Sequence, residues 1–301
     1  MNSGDFSWML ISTALVVFMV PGLALFYGGM SRTKNVVNML MMNMYCLGIV
    51  PIVWVVVGYS IGNSSGGGGF FGGDWIGNFD AIGLDGLSAD PESLIFAAFL
   101  MTFASITPAL ISGAVADRMK FSAWVVFVPV WLLVVYCPVT YWVYNGGPAG
   151  NGALDLAGGT AIHLNSGVAA LALVLVLGKR RGWPSEAMPP HNTPMIMLGA
   201  GILWFGWFGF NAGSAGAANG QAVQALLNTF LAAAAAVVRA ALVIRRLLRA
   251  TGSVEILELG HAAEGEPAGE VRRPHEPARG NSRSPPAKAR LPLHTPRPVS
   301  R

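Results

Sequence analysis

Residues 155–181, DLAGGTAIHLNSGVAALALVLVLGKRR, predict a complete membrane-spanning helix. The apolar run that follows Asp155 ends at a basic cluster, 179–181. Its length suits a membrane, because about 20 residues of helix cross roughly 30 Å of hydrocarbon. His163 lies inside the run, about two helical turns past the aspartate. Ionisable groups at that depth are costly and are usually functional, so we expect a conduction path here.

The whole chain has the composition of a polytopic membrane protein. Apolar residues make up 53% of its 301 residues and charged residues only 11%, far from the averages of soluble domains. We predict spans at 8–30, 36–60, 94–115, 121–143, 158–178 and 194–212, with a poorer seventh at 222–248. Runs such as 53–57 and 171–177 are apolar on every face, unlike the alternating strands of a membrane barrel. The predicted fold class is therefore an all-α polytopic membrane protein.

The basic residues between the spans predict the orientation. Arg32 and Lys34 follow the first span, Arg118 and Lys120 the third and 179–181 the fifth, whereas the loops after spans two, four and six contain no Lys or Arg. Short cytoplasmic loops carry the excess of Lys and Arg. We therefore expect a multi-pass protein of the cell membrane, inner or plasma, with its N-terminus outside.

The spans contain few groups that could perform enzymatic chemistry. They offer one histidine, one aspartate and no cluster with the spacing of a zinc site. Cys46 and Cys137 lie inside apolar spans, without the spacing of a metal site or a disulfide framework. We therefore predict no metal, no cofactor and no enzymatic activity.

The last part of the chain changes composition abruptly. Arginines interrupt the seventh apolar run from Arg239 onward, and the residues after Thr251 are rich in Pro, Arg, Glu, Ala and Gly. Most of the 19 basic residues lie in this part, so the net charge of +4 does not predict nucleic-acid binding. We predict a membrane domain at 1–238 and a disordered, basic, Pro/Arg-rich tail at 239–301.

Four sequence blocks, in order, resemble the ammonium transporter family, the Amt, Mep and Rh proteins. They are 21–29 (PGLALFYGG), 103–118 (FASITPALISGAVADR), 152–163 (GALDLAGGTAIH) and 206–214 (GWFGFNAGS). The resemblance covers about residues 5–236. It implies an eleven-helix fold of two inverted five-helix halves plus one helix, assembled as a trimer with one pore per subunit. This chain would then hold the first inverted repeat, five helices, and the start of the second.

The resemblance implies transport of ammonium or ammonia across the membrane, with methylammonium as a further substrate. It also implies that NH4+ is recruited at an outer aromatic vestibule and loses a proton, and that NH3 then passes a histidine-lined pore. Ser214 matches the serine that accepts a hydrogen bond from ammonium, and Phe103 and Phe210 match two gate rings. Aromatic faces stabilise a desolvated cation by roughly 2 kcal/mol or more. The vestibule tryptophan of the family corresponds to Tyr144 or, alternatively, to Trp142.

The same resemblance assigns the remaining site residues. His163 matches the first of two pore histidines, whose imidazole can pass a proton between its nitrogens. Asp155 matches a buried acid that supports the recruitment site, and a purely structural N-cap is an equal alternative. Trp207 would support the site structurally. Leu156 departs from the family, which usually has an aromatic residue there. The implied partners are ammonium, membrane lipid, two further copies in a homotrimer and a cytoplasmic PII-type regulator.

The second pore histidine belongs to a part of the family fold that this sequence does not match. His191, His261, His275 and His294 lie in a loop or in the tail and cannot replace it. The tail has the composition of a GC-rich gene translated out of frame. We therefore expect a frameshifted or truncated transporter with impaired transport. The alternative is an ammonium-sensing or regulatory membrane protein that does not transport.

Overall fold

A computed structural model describes residues 1–64, 75–145, 147 and 154–250, with side chains up to 246. The described residues are almost entirely helical and contain no strand. Seven of their helical segments are long and apolar enough to cross a membrane. The prediction of an all-α polytopic membrane protein is confirmed.

The seven spans begin and end within a few residues of their predicted bounds. In chain order they are α1 Ser3–Met30, α2 Thr33–Asn63, α3 Pro91–Val115, α4 Phe121–Tyr144, α5 Gly159–Leu177, α6 Thr193–Ala212 and α7 Gly220–Ala250. Four spans contain a π-helical stretch, at Trp54–Gly58, Leu132–Tyr136, Gly159–Leu164 and Phe208–Ala212. Such stretches are frequent at functional sites, and two of them carry the predicted site residues His163 and Phe210.

Polar caps fix where two of the spans begin. At α1, the Asn2 side chain accepts a hydrogen bond from the Asp5 N–H at 2.9 Å, and the Asp5 carboxylate accepts one from the Asn2 N–H at 3.1 Å. At α3, the Asp90 carboxylate accepts the N–H groups of Glu92 and Ser93. These caps satisfy backbone donors that the first helical turn leaves unpaired, and each carboxylate lies at the positive end of a helix dipole.

The α1 helix packs against α2, α3 and α6. Its contact with α6 is close because glycines lie at the crossing: a Cβ on Gly199 would clash with the Phe26 backbone, and one on Gly206 would clash with Met19. Small residues allow this approach of helix backbones inside a membrane, where van der Waals packing replaces the hydrophobic effect. The α6 helix thereby ends beside the beginning of α3, where the site lies.

The α7 helix runs through the boundary that we predict between residues 238 and 239, and it ends at Ala250. Ala, Leu and Arg dominate this stretch and are good helix formers, so the arginines end the apolar run without ending the helix. The rest of the predicted tail, 251–301, lies outside the described residues, as do 65–74 and the part of the 152–163 block before Leu154.

Candidate functional site

A cavity of about 320 Å³ lies where the ends of α2, α4 and α6 meet the beginning of α3. We call it the Ser214 cavity. Its polar lining residues are Asn63, Tyr144, Asp155 and Ser214. The apolar lining residues include Phe96, Phe99, Leu100, Phe103 and Leu156. Hydroxyl groups, a carboxylate and aromatic rings therefore surround one small space.

The Ser214 hydroxyl faces this cavity as a hydrogen-bond acceptor. Its Oγ donates to the backbone carbonyl of Phe210 at 2.7 Å, one helical turn earlier. A hydroxyl has one proton and two lone pairs, so this bond leaves only lone pairs for a ligand. The polarity of Ser214 therefore suits a ligand that carries N–H donors.

Tyr144 and Trp142, the two alternatives for the vestibule aromatic, lie in different surroundings. Tyr144 lines the Ser214 cavity, and its buried hydroxyl lies near Asp155 but has no well-formed hydrogen bond within the described part of the chain. The Trp142 indole N–H instead donates to the Trp75 carbonyl, and the two indole rings meet edge to face at 5.8 Å. Tyr144 shares a cavity with Ser214, whereas Trp142 is not among the residues that line it.

Phe99 and Phe103 line the Ser214 cavity, and the Phe210 ring packs against Phe103. The Phe103 and Phe210 rings are stacked, with centroids 4.4 Å apart and planes 16° apart. Phe99 contacts Phe103 at 4.8 Å. Phe103 is 2% exposed and Phe210 is 1% exposed. The stack is therefore a buried apolar cluster next to the cavity.

His163 lies close to the Phe210 ring of the stacked pair. Its ring contacts Phe210 at 5.9 Å and lies nearly parallel to Trp207 at 6.1 Å. His163 and Trp207 help to line a second cavity of about 530 Å³, together with Asn211 and Thr229. We call it the His163 cavity. The Asn211 amide donates to the Thr229 hydroxyl at 2.9 Å. Among the described residues, nothing hydrogen-bonds to the imidazole nitrogens, so they are available to a ligand.

Asp155 lies between the two cavities and lines both. Its carboxylate accepts four backbone hydrogen bonds at 2.6–2.9 Å, from the N–H groups of Gly158, Gly159, Thr160 and Ala161. These are the orphan donors at the beginning of α5, so the aspartate fixes the helix that carries His163. The structural N-cap role is thus present, at a position that also faces the cavities.

Two groups of lining residues were not singled out from the sequence. Phe96 and Phe99 line the Ser214 cavity beside Phe103. Their spacing of three and four residues places all three rings on one face of α3, a periodicity that could have revealed them. Asn211 and Thr229 face the His163 cavity from α6 and α7. No local pattern marks that pair, because the two helices meet only in the folded chain.

The described residues thus form a helical membrane bundle with a small aromatic cavity, a buried ring stack and a histidine close to it. The chain belongs to the Ammonium Transporter Family, whose sequence model matches residues 7–259. The match extends past residue 236, where we expected the resemblance to end. It therefore includes the whole of α7.

Known relatives agree with this assignment. An ammonium transporter of Mycobacterium tuberculosis is 48% identical over 262 residues, which cover 78% of this chain and 55% of the relative. The crystal structure of Candida albicans Mep2 matches with a TM-score of 0.70 and 35% identity, covering 77% of this chain and 53% of Mep2. A structure named Sensor Amt Protein matches with a TM-score of 0.72 and 27% identity, covering 80% and 62%. The chain thus spans about half the length of the curated relative.

Proposed function

We propose that this chain provides an ammonium transport path that recruits NH4+ in the Ser214 cavity, removes a proton, and passes NH3 across the Phe103–Phe210 stack to His163. One observation carries the proposal. Phe103 lines a cavity that offers hydrogen-bond acceptors and aromatic faces, and it stacks on Phe210. Phe210 in turn contacts His163, whose ring nitrogens are unpartnered within the described residues. The transported molecules are ammonium and ammonia, with methylammonium as the larger analogue.

Recruitment depends on matching the chemistry of the ammonium ion. NH4+ has four N–H donors and no acceptor, so it suits the lone pairs of Ser214 and the face of Tyr144. The Asp155 carboxylate already accepts four backbone hydrogen bonds. Its negative charge therefore acts on the cation through space and not by contact. Leu156 offers no aromatic face, so we expect weaker binding than with an aromatic residue at this position.

Passage depends on the apolar stack. A charged ion would lose its hydration between two buried phenyl rings at a large cost, whereas neutral NH3 loses far less. Deprotonation at the stack is therefore the step that allows transfer. Beyond the stack, His163 can accept a hydrogen bond from NH3 or donate one to it, and it can hold a proton on either nitrogen. The proton released at the stack is relayed separately from NH3.

The orientation of the path follows from the loops. Lys and Arg occur after the first, third and fifth spans, which supports a cytoplasmic position of these loops and an N-terminus outside. The loops after spans two, four and six then lie outside. The Ser214 cavity opens toward them, because it is lined at or just beyond the ends of these spans by Asn63, Tyr144 and Ser214. We place the protein in the inner or plasma membrane, with the membrane domain at 1–238. We also propose that the protein assembles as a homotrimer and that a cytoplasmic PII-type protein regulates it.

The test is uptake of labelled methylammonium, and ammonium-evoked current, in proteoliposomes that contain the full chain. We expect saturable uptake above that of empty vesicles, and a decrease of roughly tenfold or more in His163→Ala, since removal of a proton-transfer group has effects of that order. His191→Ala is the matched control, because that histidine bonds the Ser31 carbonyl at 3.0 Å in a loop. Equal flux in the wild type and His163→Ala would contradict the pore role.

A second candidate is ammonium sensing without transport, which the likeness to the Sensor Amt Protein favours. It requires the Ser214 cavity but not passage across the stack. Calorimetric titration of the solubilised chain with ammonium distinguishes the two. Saturable binding that Ser214→Ala weakens, without flux in vesicles, would support sensing and overturn transport.

A further inference from the structure

Two adjoining cavities lie beyond the ends of α3 and α5, away from the site described above. The first, of about 380 Å³, is lined by polar groups that include Arg32, Lys34 and Asp117. The second, of about 550 Å³, is lined partly by the aliphatic residues Val174 and Leu175 and by Trp183. Arg118 and Lys179 line both cavities. We call the two together the basic groove.

Part of the positive charge in the groove is neutralised internally. The Arg32 Nε lies 3.7 Å from an Asp117 carboxylate oxygen, and its Nη1 lies 3.8 Å from Glu186. Its Nη2 donates to the Arg181 carbonyl at 2.5 Å. Arg32 and Asp117 therefore support each other and the chain around them.

The cations where the two cavities meet are compensated less completely. Arg118 donates to the carbonyls of Gly178 and Ala114, at 2.8 and 2.6 Å, and these bonds leave its charge intact. Burial and the neighbouring charge of Arg180 lower the pKa of Arg118, although the charge of Asp117 opposes this shift. Among the described residues, no carboxylate forms an ion pair with Arg118, Lys179 or Arg180. An anion between these side chains would relieve their mutual repulsion.

The second cavity adds an apolar wall beside these cations. Val174 and Leu175 belong to the last turn of α5, and the Leu175 side chain is 74% exposed. Trp183, which is 59% exposed, lies just beyond the end of the span. Tryptophan is enriched at membrane interfaces because its ring is amphipathic. The wall leads from the cations along a membrane-spanning helix, the direction that an acyl chain would take.

We propose that the basic groove binds an anionic phospholipid, with its phosphate among Arg118, Lys179 and Arg180 and an acyl chain along Val174 and Leu175. Arg and Lys are the usual ligands of lipid phosphates at the cytoplasmic surface. The apolar wall distinguishes this site from one for a soluble phosphate, which would need only the cations. The site is independent of ammonium transport.

The test measures binding of fluorescent phosphatidylglycerol to the full chain in detergent, with phosphatidylcholine of the same acyl chains for comparison. We expect the wild type to prefer phosphatidylglycerol. The double variant Lys179→Gln/Arg180→Gln should lose roughly thirtyfold in affinity for it, since each surface cation contributes about a factor of five. Lys120→Gln removes an exposed lysine that is not among the lining residues of either cavity, and it should bind like the wild type.

Competition with a soluble phosphate and comparison of the two lipids test the lipid assignment and the site itself. Soluble glycerol phosphate should compete poorly, because it lacks the chain that packs on Val174 and Leu175. Competition as strong as that of the intact lipid would overturn the lipid assignment in favour of a soluble phosphate. Equal affinity for the two lipids, or an unchanged preference in the double variant with a wild-type melting temperature, would overturn the site itself.

Discussion

The Phe103 ring on α3 and the Phe210 ring on α6 lie parallel, with their centroids 4.4 Å apart. Both are buried, and the His163 ring lies 5.9 Å beyond Phe210. This contact between two helices distant in sequence joins the lining of the Ser214 cavity to the ring that His163 contacts. In the proposed function, the stacked pair is the barrier that selects the species that crosses.

The stack predicts that Phe210→Leu weakens ion exclusion. Leucine keeps most of the apolar volume but loses the ring contact, which contributes about 1 kcal/mol beyond its buried area. We expect potassium current to rise relative to ammonium current in reconstituted vesicles, with a small decrease in melting temperature. Phe205→Leu is the control, because Phe205 is 56% exposed on the same helix. Unchanged ion selectivity in Phe210→Leu would exclude the stack as the barrier.

The Ser214 hydroxyl offers hydrogen-bond acceptors to a ligand, so we expect Ser214→Ala to bind ammonium more weakly. A hydrogen bond to a charged group contributes about 1.5–3 kcal/mol, so half-saturation for ammonium should rise roughly tenfold to a hundredfold. Ser214→Thr retains the hydroxyl and should bind nearly as well. Ser185→Ala removes a similar serine-to-carbonyl bond in an exposed loop and should have no effect. Equal concentration dependence of the current in Ser214→Ala and wild type would remove Ser214 from the site.

The concentration dependence of the ammonium current also shows whether Tyr144 or Trp142 is the vestibule aromatic residue. Tyr144→Ala removes the aromatic face from the Ser214 cavity and should weaken ammonium binding roughly fivefold to thirtyfold, whereas Tyr144→Trp should strengthen it, because tryptophan gives the best cation–π face. Trp142→Phe should leave affinity unchanged, since Trp142 packs on Trp75. A larger effect of Trp142→Phe than of Tyr144→Ala would reverse the assignment.

The backbone conformation just before α5 predicts that Gly158→Ala lowers the stability of the protein. Gly158 has φ +81°, and a Cβ there would clash with the Ile162 side chain. We expect the variant to lose about 1–3 kcal/mol of stability and to disturb the helix that carries His163. Gly167→Ala is the matched control, because a Cβ there meets nothing within 4 Å and alanine is the better helix former. Equal melting temperatures for the two variants would contradict this account.

Hydropathy alone predicted the spans, because each apolar run is stabilised in the membrane by its own composition and length, independently of its contacts with other segments. A run of about 20 apolar residues must cross the membrane as a helix wherever it lies in the chain, since no water is available for its backbone groups. The domain boundary that we predict at 238/239 falls inside α7, because Arg ends an apolar run but continues a helix. The four sequence blocks likewise identified the family before any contact was known.

The sequence by itself therefore determined the all-α membrane class, the positions of the spans and the family. Tertiary structure decided which side chains meet. It brought Tyr144 and not Trp142 into the Ser214 cavity, stacked Phe103 on Phe210, and placed Arg118 and Lys179 in the lining of one cavity. The physical reason is that burial is a property of each segment, whereas a distance between helices depends on how the glycine-lined crossings of α1 and α6 pack.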